Sequence, residues 1–471
     1  MAQPRNAIDK LRSYLENLTP EARALVVEKL EREAAAGDDT ATIVLQELRG
    51  TAASPAEAPQ PRITSPQQLF FLPVEPFLAD EVSPTKIRGV IPRACLEPIW
   101  TWLSRDVLPA DIKAFTVAVA TTLQPGDEAS ALRIAKSFQD HTIIRIRAAL
   151  TAAARDEVAA RKLSAQLGSQ REVEELRDVL AILCARDALG AIGGRLPTSI
   201  KNLSDQNLDA ARAVFNGSMA RHPDVLPYAL ALLMRRLAQP WQIVRVAIKA
   251  AETDVAAKIA ETPFAAAVEL AFADLDRKVA LLKALMKRRD FSALAPVVKD
   301  IHDDARGFRT ELDLRGDSAW SRRLAAIRKD IAALLSTEIA ACSTDIRRLL
   351  KMRTRKEAAS EPAVSAADVA TAEEAIDLLL LCRTYAGEIA LNEATQRATS
   401  ELNALLDTGT ATLIDGLRVA SDVEKPFRRS QLDAAIQLSG RVFGPGYAQT
   451  LTRAVDLAAQ GRQAEPAGER R

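Results

Sequence analysis

The sequence predicts an all-α protein, an elongated multi-helix bundle with long antiparallel helices, and three observations carry that expectation. From Leu324 the apolar residues fall at Ile327, Ile331, Leu335, Ile339, Cys342, Ile346 and Leu350, always three or four apart. That spacing lays one apolar stripe along a helix of about nine turns. Its steps drift from a strict heptad, which suits a straight bundle helix better than a supercoiled seam. Hydrophobic residues make up 48% of the chain but aromatics only 4%, so helix interfaces must be built from Ala, Leu, Ile and Val. The 23 prolines fall mostly at helix starts and in linkers, which is punctuation for helices and not for hairpins.

At 471 residues the chain exceeds one ordinary core. Residues 1–50 read as a small N-terminal helical unit. Thr19-Pro20-Glu21 supplies an N-cap, a proline at the first helical position and an acid in the first turn. Residues 51–66 are a Pro/Ala-rich linker. Residues 67–200 form a helical region with an aromatic strap and a long hairpin. One helix is expected from Asp127 to about Gly168. A second, from Arg171 to about Leu189, packs back on it and is ended by the stretch Gly190 to Pro197. Residues 201–352 form a central bundle with helices near 205–221, 224–237, 240–252, 263–288, 292–313 and 318–351, where Pro223, Pro240 and Pro263 mark new starts.

A second linker is read at 353–366. Ser365 with Asp368 resembles a capping box and opens a C-terminal helical region, 367–460, whose first helix runs to about Asp407. Shorter helices follow, broken at Pro426 and Gly444-Pro445-Gly446, and 461–471 is a polar tail. Ile143-Ile144-Arg145-Ile146 and Ile243-Val244-Arg245-Val246 are alike. No period of about 34–47 residues joins them, which disfavours the alternative of an irregular helical solenoid.

Charge excludes some functions. Lys and Arg number 63 against 62 Asp and Glu, so nothing draws the whole surface to nucleic acid or anionic membrane, and such contact would need a local patch. Cys95, Cys184, Cys342 and Cys382 include no CxxC pair, which speaks against structural zinc and for a reducing, cytoplasmic setting. No apolar run approaches the roughly 18 residues of a membrane span. The heavy use of Ala, Leu and Arg fits a GC-rich bacterial genome.

Two clusters are candidates for binding. Three of the 12 phenylalanines, Phe70, Phe71 and Phe77, lie within a stretch interrupted by Pro73 and Pro76, and Trp100 and Trp102 follow. As packing, this is a strap whose aromatics plug grooves of the chain's own bundle. As function, it is a docking segment for a protein partner. The second cluster is Arg347, Arg348, Lys351, Arg353, Arg355 and Lys356, with no acid from 346 to 356. Cations complement a helix C-terminus, but this run exceeds what a dipole requires and could face an anionic surface.

Catalytic signatures are sparse. His141, His222 and His302 lack the Glu three residues earlier that di-iron bundles use. His302-Asp303 stands without further metal ligands nearby in sequence. The glycine-rich stretches at Gly190 and Gly440 follow helices and carry no phosphate-loop Lys-Ser/Thr. A polar row, Tyr385, Glu388, Asn392, Gln396 and Thr399, falls at helical spacing, and its outward, solvated reading is favoured. No catalytic residue, metal ligand or cofactor motif is identified. The expectation is a non-catalytic scaffold, tether or adaptor that mediates protein–protein interaction. Nucleic-acid or anionic-membrane-surface binding through 347–356 is second, and an enzyme with a site hidden in the bundle is third.

Overall fold

A computed structural model describes residues 65–80, 86–123, 127–205, 208, 223–315, 318–360 and 363–460. The expected N-terminal unit 1–50, nearly all of the linker 51–66, most of the helix near 205–221, His222 and the tail 461–471 lie outside the described residues.

Among the described residues the chain is all-α. Strand structure there amounts to a two-residue parallel ribbon, Leu78–Ala79 (β1) on Ile91–Pro92 (β2), and the isolated bridges Ile200–Leu237 and Val255–Asp313. Two compact units divide the chain: residues up to Phe70 with Phe115–Ala135, and Phe71–Ala114 with Lys136–Arg471. In the first unit, the described residues are helical apart from short turns, with Leu69, Phe70, Phe115, Val119 and Ala131 buried.

The second unit begins at the end of α1 (Pro66–Phe71), where Pro73 and Pro76 tighten the next six residues into the 3₁₀ strap Leu72–Phe77. In chain order β1 and β2 are followed by α2 (Leu96–Trp102), with a π-turn over Leu103–Val107, then α3 (Pro109–Leu123) and α4 (Glu128–Arg155), whose stretch Phe115–Ala135 belongs to the first unit, and α5 (Glu157–Leu167) and α6 (Gln170–Arg195). The single helix expected over 127–168 is therefore two. Asp156 turns extended (φ −135°) and its carboxylate accepts from the Val158 and Ala159 amides, an N-cap that restarts the helix. The glycines expected to end α6 instead continue it to Arg195. Their cost of about 1 kcal/mol each is offset by burial of Leu189, Ile192 and Leu196 around them. Ion pairs join α4 to α6, Lys136 with Asp187 at 2.8 Å and Arg186 with Asp140 at 2.6 Å, and α5 packs on α6.

The centre follows the proline punctuation. Pro223 and Pro240 open 3₁₀ turns into α7 (Leu226–Met234) and α8 (Val244–Ala251). Beyond α9 (Ala256–Ala260), Pro263 precedes α10 (Ala265–Arg288), and then come α11 (Leu294–Glu311) and α12 (Ala319–Leu350). Ser318 caps α12 by accepting from the Ser321 amide at 3.1 Å. The α12 stripe from Leu324 to Leu350 is buried as its period requires, against α14 (Ala366–Tyr385) and α15 (Asn392–Arg418). The short α13 (Arg355–Ser360) lies in the expected linker, and Ser365 caps α14.

The helix expected from 367 to 407 is broken at 386–391, where Ala390 takes a left-handed φ of 57°. Ile389 and Leu391 bury themselves in the turn, while Arg328 of α12 donates to the carbonyls of Glu388 (2.6 Å) and Gly387 (3.2 Å). A tertiary contact thus satisfies the turn, which no local pattern announces. The chain ends in α16 (Lys425–Phe443) and α17 (Pro445–Ala459), divided at Gly444 as expected.

No described helix is long and apolar enough to cross a membrane.

Close approach is extreme where Trp241 meets α11, since a Cβ on Gly307 would lie 2.4 Å from the indole. Gly307→Ala is expected to destabilise the protein by about 1–3 kcal/mol, read as a lowered melting temperature. Phe77 is buried with its ring edge-on to Tyr228 at 5.7 Å. Phe77→Ala is expected to cost about 3–5 kcal/mol in urea unfolding, and an unchanged midpoint would show that the strap does not support the core.

Candidate functional site

The strap's return leg is pinned by charge. Lys86 Nζ lies 2.5 Å from Glu175 and 2.7 Å from Asp178 on α6, and both acids are buried. Asp178 also accepts from the Tyr228 hydroxyl of α7 at 2.9 Å, while Arg171 takes the other Glu175 oxygen at 2.7 Å. Gly89 then brings the backbone against α7. Its φ is +92°, and a Cβ there would meet the Pro227 carbonyl at 3.0 Å, so this position requires glycine on both counts.

What this arrangement leaves open is a cleft of about 420 Å³ between the strap with β1, α7 and α10. The volume falls within the roughly 300–1,000 Å³ of typical ligand sites. Its lining is largely apolar, including Leu78, Val90, Met234, Leu237 and Leu270, and it also carries the charged residues Asp80, Arg235, Asp274, Asp276 and Arg277. The carboxylates are already engaged. Asp80 pairs with Arg93 at 3.0 Å and Asp276 with Arg323 at 2.6 Å, while Asp274 is held by Arg277 at 2.7 Å and Lys278 at 2.8 Å.

Behind that wall, Lys278 also reaches Asp304 of α11 at 2.7 Å, deep in the core. Burial pushes the Asp304 carboxyl up to about 7 against the pull of Lys278, with Asp274 and Asp300 adding to the rise. Burial also acts on Asp274 and Lys278. There the neighbouring charges prevail, holding Asp274 below and Lys278 above their ordinary values.

The strap's aromatics are occupied by their own chain: Phe70, Phe71, Phe77 and Trp102 are buried and Trp100 half-buried, with Phe71 edge-on to Trp100 at 6.1 Å. Of these five, Trp100 keeps partial exposure, and the cleft opens beside Phe77. In the basic run, Arg347 pairs with Glu401 at 2.7 Å, and Arg348 stands 3.6 Å from both Asp345 and Asp368. Lys351 and Lys356 are exposed, Arg353 is half-buried and Arg355 opens α13. The end of α12 is capped from α16: Gln431 donates to the Leu349 and Lys351 carbonyls and Arg428 to that of Arg353.

The polar row is split by the 386–391 turn. Asn392 and Gln396 are exposed, Glu388 pairs with Arg309 at 2.7 Å, and Tyr385 lies 5.0 Å from the His302 ring. His302 itself is 3.0 Å from Asp303, and His141 is exposed. Burial pushes the Cys95, Cys342 and Cys382 thiols up to about 12. Among the described residues, no cluster of three or more His, Cys, Asp and Glu is arranged to hold a metal.

Arg235 and the Lys278 group went unremarked in the sequence. A readable signal existed for the second: Asp274 and Lys278 interrupt, at helical spacing, the apolar run Ala271, Leu275, Val279, Leu282.

The raised Asp304 carboxyl fixes a pH dependence. The folded protein keeps this proton where the unfolded chain, with its ordinary value of 3.8, has released it. The stabilisation is complete below that value and is lost as pH rises through about 7. Asp304→Asn is expected to flatten this fall, so melting temperatures measured from about pH 4 to pH 8 should decline less in the variant than in wild type. Parallel profiles would show that Asp304 is already ionised in the folded state.

Comparison with protein-family models, with curated proteins and with solved structures finds no match.

Proposed function

We propose that the protein is a non-catalytic adaptor or scaffold and that it receives a segment of a protein partner in the cleft between the strap, α7 and α10. The observation that carries this reading is the make-up of the cleft. Its wall is largely apolar, and each of its carboxylates is held by a cation. A general base needs a carboxylate free to accept a proton from substrate, whereas an apolar wall with a few fixed polar groups serves recognition. The buried thiols, raised to about 12, are poor nucleophiles at neutral pH. The anionic-surface reading is weaker, because Arg347 and Arg348 already meet Glu401, Asp345 and Asp368.

Ala280 lines the cleft and is exposed on α10, so Ala280→Trp should obstruct the opening without disturbing the core. The variant is expected to keep wild-type helicity by circular dichroism and to lose the proteins that copurify with wild type. An identical captured set from both proteins would overturn the assignment of the cleft.

A further inference from the structure

Resting on the adaptor reading, we infer that the cleft takes the apolar C-terminal tail of a protein partner, with its terminal carboxylate on Arg235. The argument starts from the charges in the lining. Asp80, Asp274 and Asp276 are each matched by a cation, and Arg277 is matched by Asp274. Arg235 remains. Its Nη1 donates to the Pro76 carbonyl at 2.8 Å, and among the described residues no carboxylate pairs with it. The side chain is exposed at the cleft. A guanidinium anchored by one nitrogen keeps further N–H donors for an incoming anion, and its planar fork matches a carboxylate in two parallel hydrogen bonds.

The apolar residues around Arg235 define the rest of the occupant. Met234 and Leu237 flank it in sequence, and Leu78, Val90 and Leu270 continue the wall. A tail of apolar side chains ending in a carboxylate satisfies both parts, whereas a basic tail would bring a cation to an unmatched cation. The cleft's size, about 420 Å³, suits a few side chains and not the long face of a helix. The extended β1 backbone forms part of the same wall and gives an extended peptide a strand to lie along. That last feature favours a protein terminus over a small free acid of the same chemistry.

The test uses calorimetry on the full-length protein with the peptide acetyl-Ala-Leu-Val-Leu as free acid, the same peptide as C-terminal amide, and decanoate. Wild type is expected to bind the free acid, and amidation should weaken binding about tenfold or more, as expected for loss of a charge-assisted hydrogen bond. Arg235→Gln should bind acid and amide alike, and Arg235→Lys should retain part of the discrimination. Gln and Lys both replace the guanidinium that donates to Pro76, so the melting of each variant is recorded beside wild type, and the ratio of acid to amide affinity within each protein reads the discrimination independently of any loss of stability. Equal binding of acid and amide by wild type, or full discrimination retained in Arg235→Gln, would overturn the proposal. Tighter binding of decanoate than of the peptide would overturn it in favour of a small acid. If neither peptide binds while Ala280→Trp still loses its captured partners, the tail is wrong and the adaptor reading stands.

Discussion

Helices that meet through Ala, Leu, Ile and Val come closer than helices separated by aromatic rings, and the few large side chains then need matching gaps. Trp241 lies over Gly307 of α11, with the Arg245 guanidinium 5.6 Å from the indole centroid. Leu350 and Met352, at the end of α12, press on α15 at Gly409 and Gly416, where an added Cβ would come within 3.0 Å and 2.4 Å. These glycines lie inside helices, where they carry a propensity cost. The cost is offset by close packing, most firmly at Gly307 under the rigid indole, whereas at Gly416 the facing atom is the end of the flexible Met352 side chain, which can give. Gly307 and Gly409 thus let α11 approach Trp241 and α15 approach Leu350 closely.

The same closeness explains the buried charges. Lys278 projects from α10 into the contact with α11, where water cannot follow, and a lone ammonium there would be very costly. Two carboxylates, Asp274 on its own helix and Asp304 across the interface, surround it. One cation cannot neutralise two acids, and both are buried, so the second cation beside Asp274 decides which keeps its proton. Asp274, also held by Arg277 nearer the surface, stays ionised, while Asp304 is driven up to about 7. A buried pair of this kind is weak evidence for stability. It does join α10 to α11 directly behind the wall that faces the cleft.

Helix identity was legible wherever it rests on local periodicity. The α12 stripe and the starts near Pro223, Pro240 and Pro263 all emerge where the pattern places them, as does the Ser365 cap. The misreadings share one cause. Asp156 looks like an ordinary solvated acid until its backbone turns and it becomes a cap. The turn at 386–391 depends on Arg328, roughly 60 residues away (the pair's separation is 60 and 59). The glycines of α6 are held helical by the burial of Leu189 and Ile192. Each is a tertiary decision overriding a local preference. For the proposed site, the sequence drew attention to the strap and not to the cleft beside it. Its phenylalanines are buried, and the cleft beside them is lined by Arg235, which meets the strap at Pro76, 159 residues away in sequence.

That long separation bears on how the cleft is maintained. The strap has few internal hydrogen bonds of its own, being 3₁₀ and a two-residue ribbon, and such short elements are not stable alone. It is held by side chains: Phe77 on Tyr228, and Lys86 on Glu175 and Asp178. Tyr228 joins the two sets, since its ring meets Phe77 and its hydroxyl meets Asp178. One residue of α7 therefore couples the outgoing leg of the strap to its return leg. Arg235, two turns further along the same helix region, ties the strap carbonyl of Pro76 to the cleft. A carboxylate arriving at Arg235 would draw on the same guanidinium that holds the strap. Occupancy of the cleft and the seating of the strap are then linked by mass action, because a ligand that favours the seated form stabilises it in proportion to its affinity.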